Sequence, residues 1–266
     1  MVKDKLHKAA ELLIDAQNRC DRISLLPSSL RPVDLIEGYR IQDIVTAGSD
    51  IVGWKIAATS RAGQIHIGID HPIAGQLTSS CILHSGDTAV MTENLMLAAE
   101  AEFVFEFSAD LPARDARYEI DEVMSCVGHL RIGIELPDSR YHLFAKAGAP
   151  QLVADNACAS QFVLGVRIDC DWRKDDLGSK KTSLYVDGGL ATEGYGSDAL
   201  GDPRAALTWL VNHVSERRID LLSGQFVTTG VCGDPTPIGS ASHVRVDIEG
   251  YGEVEVNLLN EGMGVS

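Results

Sequence analysis

The stretch Leu97-Ala98-Ala99-Glu100-Ala101-Glu102-Phe103-Val104-Phe105-Glu106-Phe107 constrains this chain more than any other. Side chains along a strand alternate between two faces. Ala101, Phe103, Phe105 and Phe107 then share one face, and Glu100, Glu102 and Glu106 share the other. The first face suits a core. The second holds Glu100 and Glu102 two residues apart and pointing the same way. Two readings fit: an amphipathic strand with a solvated acidic face, or a buried pair whose repulsion something offsets. Burying like charges is costly. A divalent cation is one compensator, because carboxylate oxygens suit hard ions such as Mg²⁺, Mn²⁺ or Ca²⁺.

A second apolar run, Ile132-Gly133-Ile134-Glu135-Leu136-Pro137, carries an acid in its middle. Such an acid needs a partner, which makes Glu135 a natural third ligand for the pair. A third run, Ile51-Val52-Gly53-Trp54-Lys55-Ile56-Ala57, carries one lysine. Lys55 either snorkels at a sheet edge or is desolvated with a shifted pKa. The run taken alone favours the first.

Around these strands the pattern predicts helices over Lys3 to Arg19 and Asp34 to Ala47, then a loop spanning Ile65 to Gly75. Thr59 to Gln64 reads only as polar. Short strands follow between Gln76 and Val90, a helix over Ile120 to Leu130, and a strand at Phe162 to Gly165. Ser139 to Gly148 reads as a helix or a lid-like loop. Asp187-Gly188 marks a hairpin turn, and Asp202-Pro203 opens a helix as N-cap and first-turn proline. Phe226 to Gly230 is a strand running into a loop, and a last hairpin closes the chain across Glu249 to Gly252. We expect a helical extension over residues 1–50 and a β-rich catalytic domain over 51–266.

Composition removes several classes of function. The 266 residues carry a formal charge of -15, which disfavours nucleic acid as a partner and an anionic membrane as a surface. No apolar run is long enough to span a bilayer, and the charged N-terminus lacks the apolar core of a signal peptide. The six cysteines form no CxxC pair and read as reduced thiols in a cytoplasmic protein. The eight histidines form no HxH or HExxH, so zinc is not expected.

Three acids and a lysine on short strands fit a metal-assisted lyase acting on a 2-oxo acid. The keto and carboxylate oxygens of such a substrate chelate a cation, which stabilises the enolate formed when a proton or CO₂ leaves. A nearby lysine supplies positive charge or moves a proton.

The same stretches resemble the hydratase/decarboxylase family of the fumarylacetoacetate hydrolase superfamily, whose members act on 2-hydroxypenta-2,4-dienoate-type compounds and 4-oxalocrotonate from aromatic ring cleavage. The resemblance runs through Val52-Gly53-Trp54-Lys55-Ile56, Gly68-Ile69-Asp70-His71-Pro72, Glu100-Ala101-Glu102, Glu135 with Asp138-Ser139-Arg140, Val153-Ala154-Asp155-Asn156 and Leu200-Gly201-Asp202-Pro203. It implies an α+β fold: a mixed β-roll core with outer helices and an N-terminal helical extension, assembled as a homo-oligomer. It implies Mg²⁺ or Mn²⁺ on Glu100, Glu102 and Glu135, with Lys55 facing the substrate, and raises a complex with a pathway partner enzyme. Asp155 reads equally as a catalytic group or as a helix or turn cap. Thr229 either touches a substrate carboxylate or ends a strand. Hydratases of the family carry Pro-Asp where this chain has Pro72-Ile73, and the Pro-Ile form resembles the 4-oxalocrotonate decarboxylase branch. Two other classes stay open. A C–C bond hydrolase would need a base such as His71 or His142. A non-catalytic binding subunit would have little reason to keep buried acids.

Overall fold

The computed structural model describes residues 2–260. Its front is helical because apolar residues recur every three or four positions. In α1 (Val2–Asn18), Leu6, Ala9, Ala10, Leu13 and Ala16 are all buried. α2 (Leu35–Val45) starts at Asp34, whose side chain accepts from the Glu37 N–H at 2.8 Å. β1 (Ile51–Ala57) follows.

The next segment differs from expectation. α3 (Arg61–Ile67) is a helix where the sequence reads as polar residues and loop. Ser60 caps it by accepting from the Gly63 N–H at 3.0 Å. Only Gln64 is buried in its seven residues, so no apolar period announces it. β2 (Ile73–Thr78) begins inside the expected loop, because Ile73 to Leu77 are buried against β1. β3 (Ile82–His84) and β4 (Thr88–Val90) flank a turn, and β5 (Ala98–Phe107) is the acidic strand. α4 (Ile120–Cys126) stops short of the expected Leu130. Val127 pairs with Phe107 and opens β6 (Val127–Leu136). Val127 fits a helical period as well, and pairing with β5 decides for strand.

The remaining elements are α5 (Ala149–Ala154), β7 (Gln161–Arg167), the hairpin β8 (Lys181–Val186) and β9 (Gly189–Tyr195), and α6 (Pro203–Glu216) with Asp202 as its N-cap. β10 (Phe226–Thr228), β11 (Thr236–Pro237) and the hairpin β12 (His243–Ile248) and β13 (Gly252–Leu259) complete the order. No helix among the described residues is long and apolar enough to cross a membrane.

One sheet runs β2-β1-β10-β5-β6-β7-β3, with β11 also on β5. Laid flat, its six gaps would separate β2 from β3 by about 29 Å. Only Ser79–Cys81 links those two edge strands, and four residue steps reach about 14 Å. The sheet must therefore curl. Phe226 on β10 and Phe162 on β7 lie three strands apart, yet their ring centroids are 6.0 Å apart across the hollow. They join Leu77, Val104 and Ala159 in a small apolar cluster inside the curl. On the convex side, Phe103, Phe105, Ile132 and Ile134 enter the main core with Val244, Val246, Val254 and Val256 of the second sheet, β4-β13-β12-β8-β9. The fold is a mixed β-roll with outer helices. α2 is tied to it by Gln42, whose amide donates to the carbonyls of Ala74 at 2.9 Å and Val153 at 3.0 Å.

Candidate functional site

Strand register brings the acids together. Glu100 stands directly opposite Glu135 in the β5–β6 ladder, and Glu102 is opposite Gly133. All three point into the hollow of the curled sheet. Lys55 reaches the same space from β1, which is three strands from β6. Its Nζ lies 2.9 Å from Glu135 Oε1, a pair that only the curl permits. The acidic face of β5 is not solvated: Glu102 is wholly buried, Glu106 is buried and Glu100 is half-buried. Lys55 does not snorkel, with 3% of its surface exposed.

One oxygen from each of Glu100, Glu102 and Glu135 falls within 4.8 Å of the others. Glu102 Oε2 accepts from the Thr228 hydroxyl, and from the Gly230 N–H at 2.8 Å, but its Oε1 has no partner. Despite the ion pair with Lys55, neither oxygen of Glu135 accepts a well-directed hydrogen bond. Burial, then the charge of Glu135, pushes the Glu100 carboxyl up to about 7, against the pull of Lys55. Burial, Glu135 and Glu100 push Glu102 well above the usual range. Burial opposes the charge on Lys55, but Glu135, Glu100 and Glu102 outweigh it and raise its pKa. Three ionised carboxylates facing one ammonium leave two negative charges uncompensated. Orphaned buried oxygens and that residual charge suit a divalent cation with oxygen ligands.

The other expected residues sit close by with different partners. Asp155 is wholly buried, and both its oxygens are taken. Ser139 Oγ donates to it at 2.6 Å and the Arg140 N–H at 3.0 Å, and the Arg140 guanidinium pairs with it. Burial raises its pKa even though Arg140 opposes the shift. Neither cap expected of Asp155 is made by its side chain. Thr229 donates both its N–H, at 3.0 Å, and its hydroxyl, at 3.2 Å, to the Phe103 carbonyl. The hydroxyl that reaches the acids is that of Thr228, which sequence reasoning passed over. Thr228 is opposite Lys55 in the β1–β10 ladder, a relation invisible without the register. Also missed is the Ala157 carbonyl, which accepts from Lys55 Nζ at 3.0 Å.

Ile73 is buried opposite Ala57, one alternation along β2 from Gly75, which is opposite Lys55. Ile73 and Lys55 therefore share a face of the sheet. His71 and His142 are exposed, and His71 Nδ1 is paired with Asp70 at 2.6 Å. A cavity of about 360 Å³ opens behind the 155–159 segment, between Arg22, Thr46, Gln76, Asp138, Arg140 and Asn156. None of the three glutamates lines it, and neither does Lys55.

No family model matches the chain. Individual relatives do. The 2-keto-4-pentenoate hydratase of Burkholderia vietnamiensis is 30% identical over 250 residues, covering 92% of this chain and 94% of the relative. This chain belongs to the hydratase/decarboxylase family. A 4-oxalocrotonate decarboxylase from Pseudomonas putida is 26% identical over 262 residues, covering 97% of this chain and 98% of the relative. The structure of 4-oxalocrotonate decarboxylase from Pseudomonas putida G7, complexed with magnesium and adipate, superposes with a TM-score of 0.88. It is 23% identical and covers 97% of this chain and 99% of that one, so the likeness spans the whole roll and the helices in front of it. Hydratases and decarboxylases of this family are lyases, and the chain is an enzyme of that class.

Proposed function

We propose that this family member is a divalent-cation-dependent lyase on 2-oxo (2-hydroxy-dienoic) acids from aromatic meta-cleavage catabolism, with Mg²⁺, or Mn²⁺, as its ion. The observation that carries the reading is the trio of buried Glu102 and Glu135 and half-buried Glu100, with Lys55 as its counter-charge. Glu100, Glu102 and Glu135 would hold the cation. When bound it supplies Lewis-acid charge to the keto and carboxylate oxygens of the substrate. Lys55 keeps a proton on Nζ between Glu135 and the Ala157 carbonyl. An ammonium has three donors, and those not spent on the Ala157 carbonyl can bind the substrate carboxylate or protonate the carbon left by bond cleavage. Thr228 and the Gly230 N–H orient Glu102. Leu77, Val104, Phe162 and Phe226 close the bottom of the hollow against water. Asp155 acts through Ser139 and Arg140, which take both its oxygens, and Thr229 finishes the strand that carries Thr228.

Between the two reactions of the family we favour loss of CO₂. Hydration needs a group to protonate carbon and to activate water. On the face of β2 that Lys55 shares, two residues from its partner Gly75, the ladder carries Ile73, which can do neither. Decarboxylation needs mainly an electron sink and a later proton. General acid–base catalysis is worth on the order of 10² to 10⁴ in rate, so the preference should be plain. Hydrolysis of a C–C bond has less support, since His71 and His142 are both exposed. The test is to incubate the protein and Mg²⁺ separately with 4-oxalocrotonate and 2-hydroxypenta-2,4-dienoate and to identify the products. CO₂ from the diacid, with slow hydration of the dienoate that Ile73→Asp speeds up, is expected. Ordinary hydration with no CO₂ release would overturn the preference, and no turnover of either acid would overturn the lyase reading.

We further propose a cytoplasmic homo-oligomer in which residues 1–50 form a helical extension packed on the catalytic unit from residue 51. Residues 261–266 of that unit lie outside the described ones. The six unpaired cysteines support the compartment. Val33, Ile36 and Val166, exposed at 74, 63 and 72%, support assembly, with its own copies first and a pathway enzyme as a further partner.

A further inference from the structure

Asn156, Ala157 and Cys158 adopt φ angles of 52°, 51° and 62°. Three successive side-chain-bearing residues in the left-handed region are costly, since each brings its Cβ against a carbonyl oxygen. Asparagine tolerates that region, but alanine and cysteine gain nothing from it. Such a turn persists only where its surroundings over-determine it.

The surroundings are specific. The Asn156 side chain docks on β2 as a strand residue would: Oδ1 accepts from the Gln76 N–H at 2.8 Å, and Nδ2 donates to the Gln76 carbonyl at 2.8 Å. Gly75 makes the approach possible, because a Cβ there would collide with the Asn156 carbonyl oxygen. At the start of the turn, Arg140 also donates from its guanidinium to the Asp155 carbonyl. The turn's outcome is one placed acceptor. The Ala157 carbonyl meets Lys55 Nζ at 3.0 Å, while Glu135 Oε1 stands 2.9 Å from the same nitrogen. One fixed acceptor, the Ala157 carbonyl, and one charge, the Glu135 carboxylate, aim the ammonium.

We propose that Asn156 is a positioning residue for Lys55: by bracketing both backbone groups of Gln76 it holds the left-handed turn that presents the Ala157 carbonyl. The proposal rests on the role given to Lys55 above. If it is correct, Asn156 contributes to turnover only while Lys55 is present.

A double-mutant cycle tests this. Asn156→Gly keeps the backbone conformation accessible and removes the bracket. Asn156→Asp keeps the acceptor for the Gln76 N–H and loses the donor. Each is made alone and with Lys55→Ala, loaded with Mg²⁺, and assayed at steady state on whichever of the two acids the wild type consumes. Asn156→Gly should bind Mg²⁺ with unchanged stoichiometry and affinity. Its kcat should fall by on the order of 10²-fold, as a misplaced reacting group costs, with little change in KM. The double variant should be no slower than Lys55→Ala. Wild-type kcat in both Asn156 variants overturns the proposal. A loss that multiplies with that of Lys55→Ala overturns it too, because Asn156 then acts independently of Lys55. Should Asn156→Gly fail to fold, Asn156→Asp is read in the same way, and failure of both to fold makes Asn156 a folding residue and ends the proposal. Full turnover in Lys55→Ala has a different meaning: it removes the role of Lys55 itself.

Discussion

Glu100 shows how a single side chain ties the chemistry to stability. Its carboxyl is pushed from the ordinary 4.5 up to about 7 by burial and by Glu135. A group whose pKa rises on folding binds its proton more tightly in the native state. Its contribution is fully present below the unfolded value and is lost as pH rises through the folded one. Metal-free wild type should therefore lose stability relative to Glu100→Gln between 4.5 and about 7. Saturating Mg²⁺ should invert that order at high pH, because the cation binds the folded wild type and not the unfolded chain. Thermal melts of both proteins, in chelator and in Mg²⁺, across this range check it. Wild type and Glu100→Gln with parallel pH profiles in chelator would mean that the carboxylate is not a charge held at a cost.

Strands set the geometry in which those side chains meet, and glycines set how closely strands and rings approach. Gly133 is opposite Glu102 on the inner face of the roll. A Cβ there would enter the Phe162 ring and come within 2.9 Å of a Val104 methyl. Overpacking a close-packed interior costs about 1–3 kcal/mol. Gly133→Ala should therefore destabilise the fold by that amount in urea titration, with an unchanged m-value. An unaltered midpoint would show that the hollow has room to spare and that the apolar cluster is not the close-packed floor described above.

For the molecule as a whole, the acidic balance of -15 keeps copies apart at long range, while several exposed apolar side chains favour contact at short range. Val33 and Ile36 stand at the front of the chain and Val166 at the end of an inner strand. We expect the burial of such patches to win at ordinary ionic strength, where charge repulsion is screened within about 8 Å. Light scattering at micromolar concentration should give a mass that is a multiple of 28.6 kDa. A single-chain mass there, unchanged by salt, would remove the homo-oligomer.

The parity of Glu100 and Glu102 on one strand face follows from the spacing alone, because alternation is a local property of extended backbone. So do the oddity of Lys55 and Glu135 in apolar runs, the hairpin at Asp187-Gly188 and the helix opened by Asp202-Pro203. α3 left no trace, since seven residues with one buried side chain carry too little pattern. The end of α4 was misjudged because Val127 suits helix and strand alike, and pairing with Phe107 decided. Which acids meet the lysine is not a local property at all. Lys55 and Glu135 are three strands apart and touch only because the sheet curls. Thr228 and the Ala157 carbonyl enter the site through register and through a left-handed turn held by Gln76, and both depend on contacts between residues distant in the chain. Local spacing determines which side chains share a face. Only the closure of the roll determines which faces share a volume, and the charges in that volume are what bind and react.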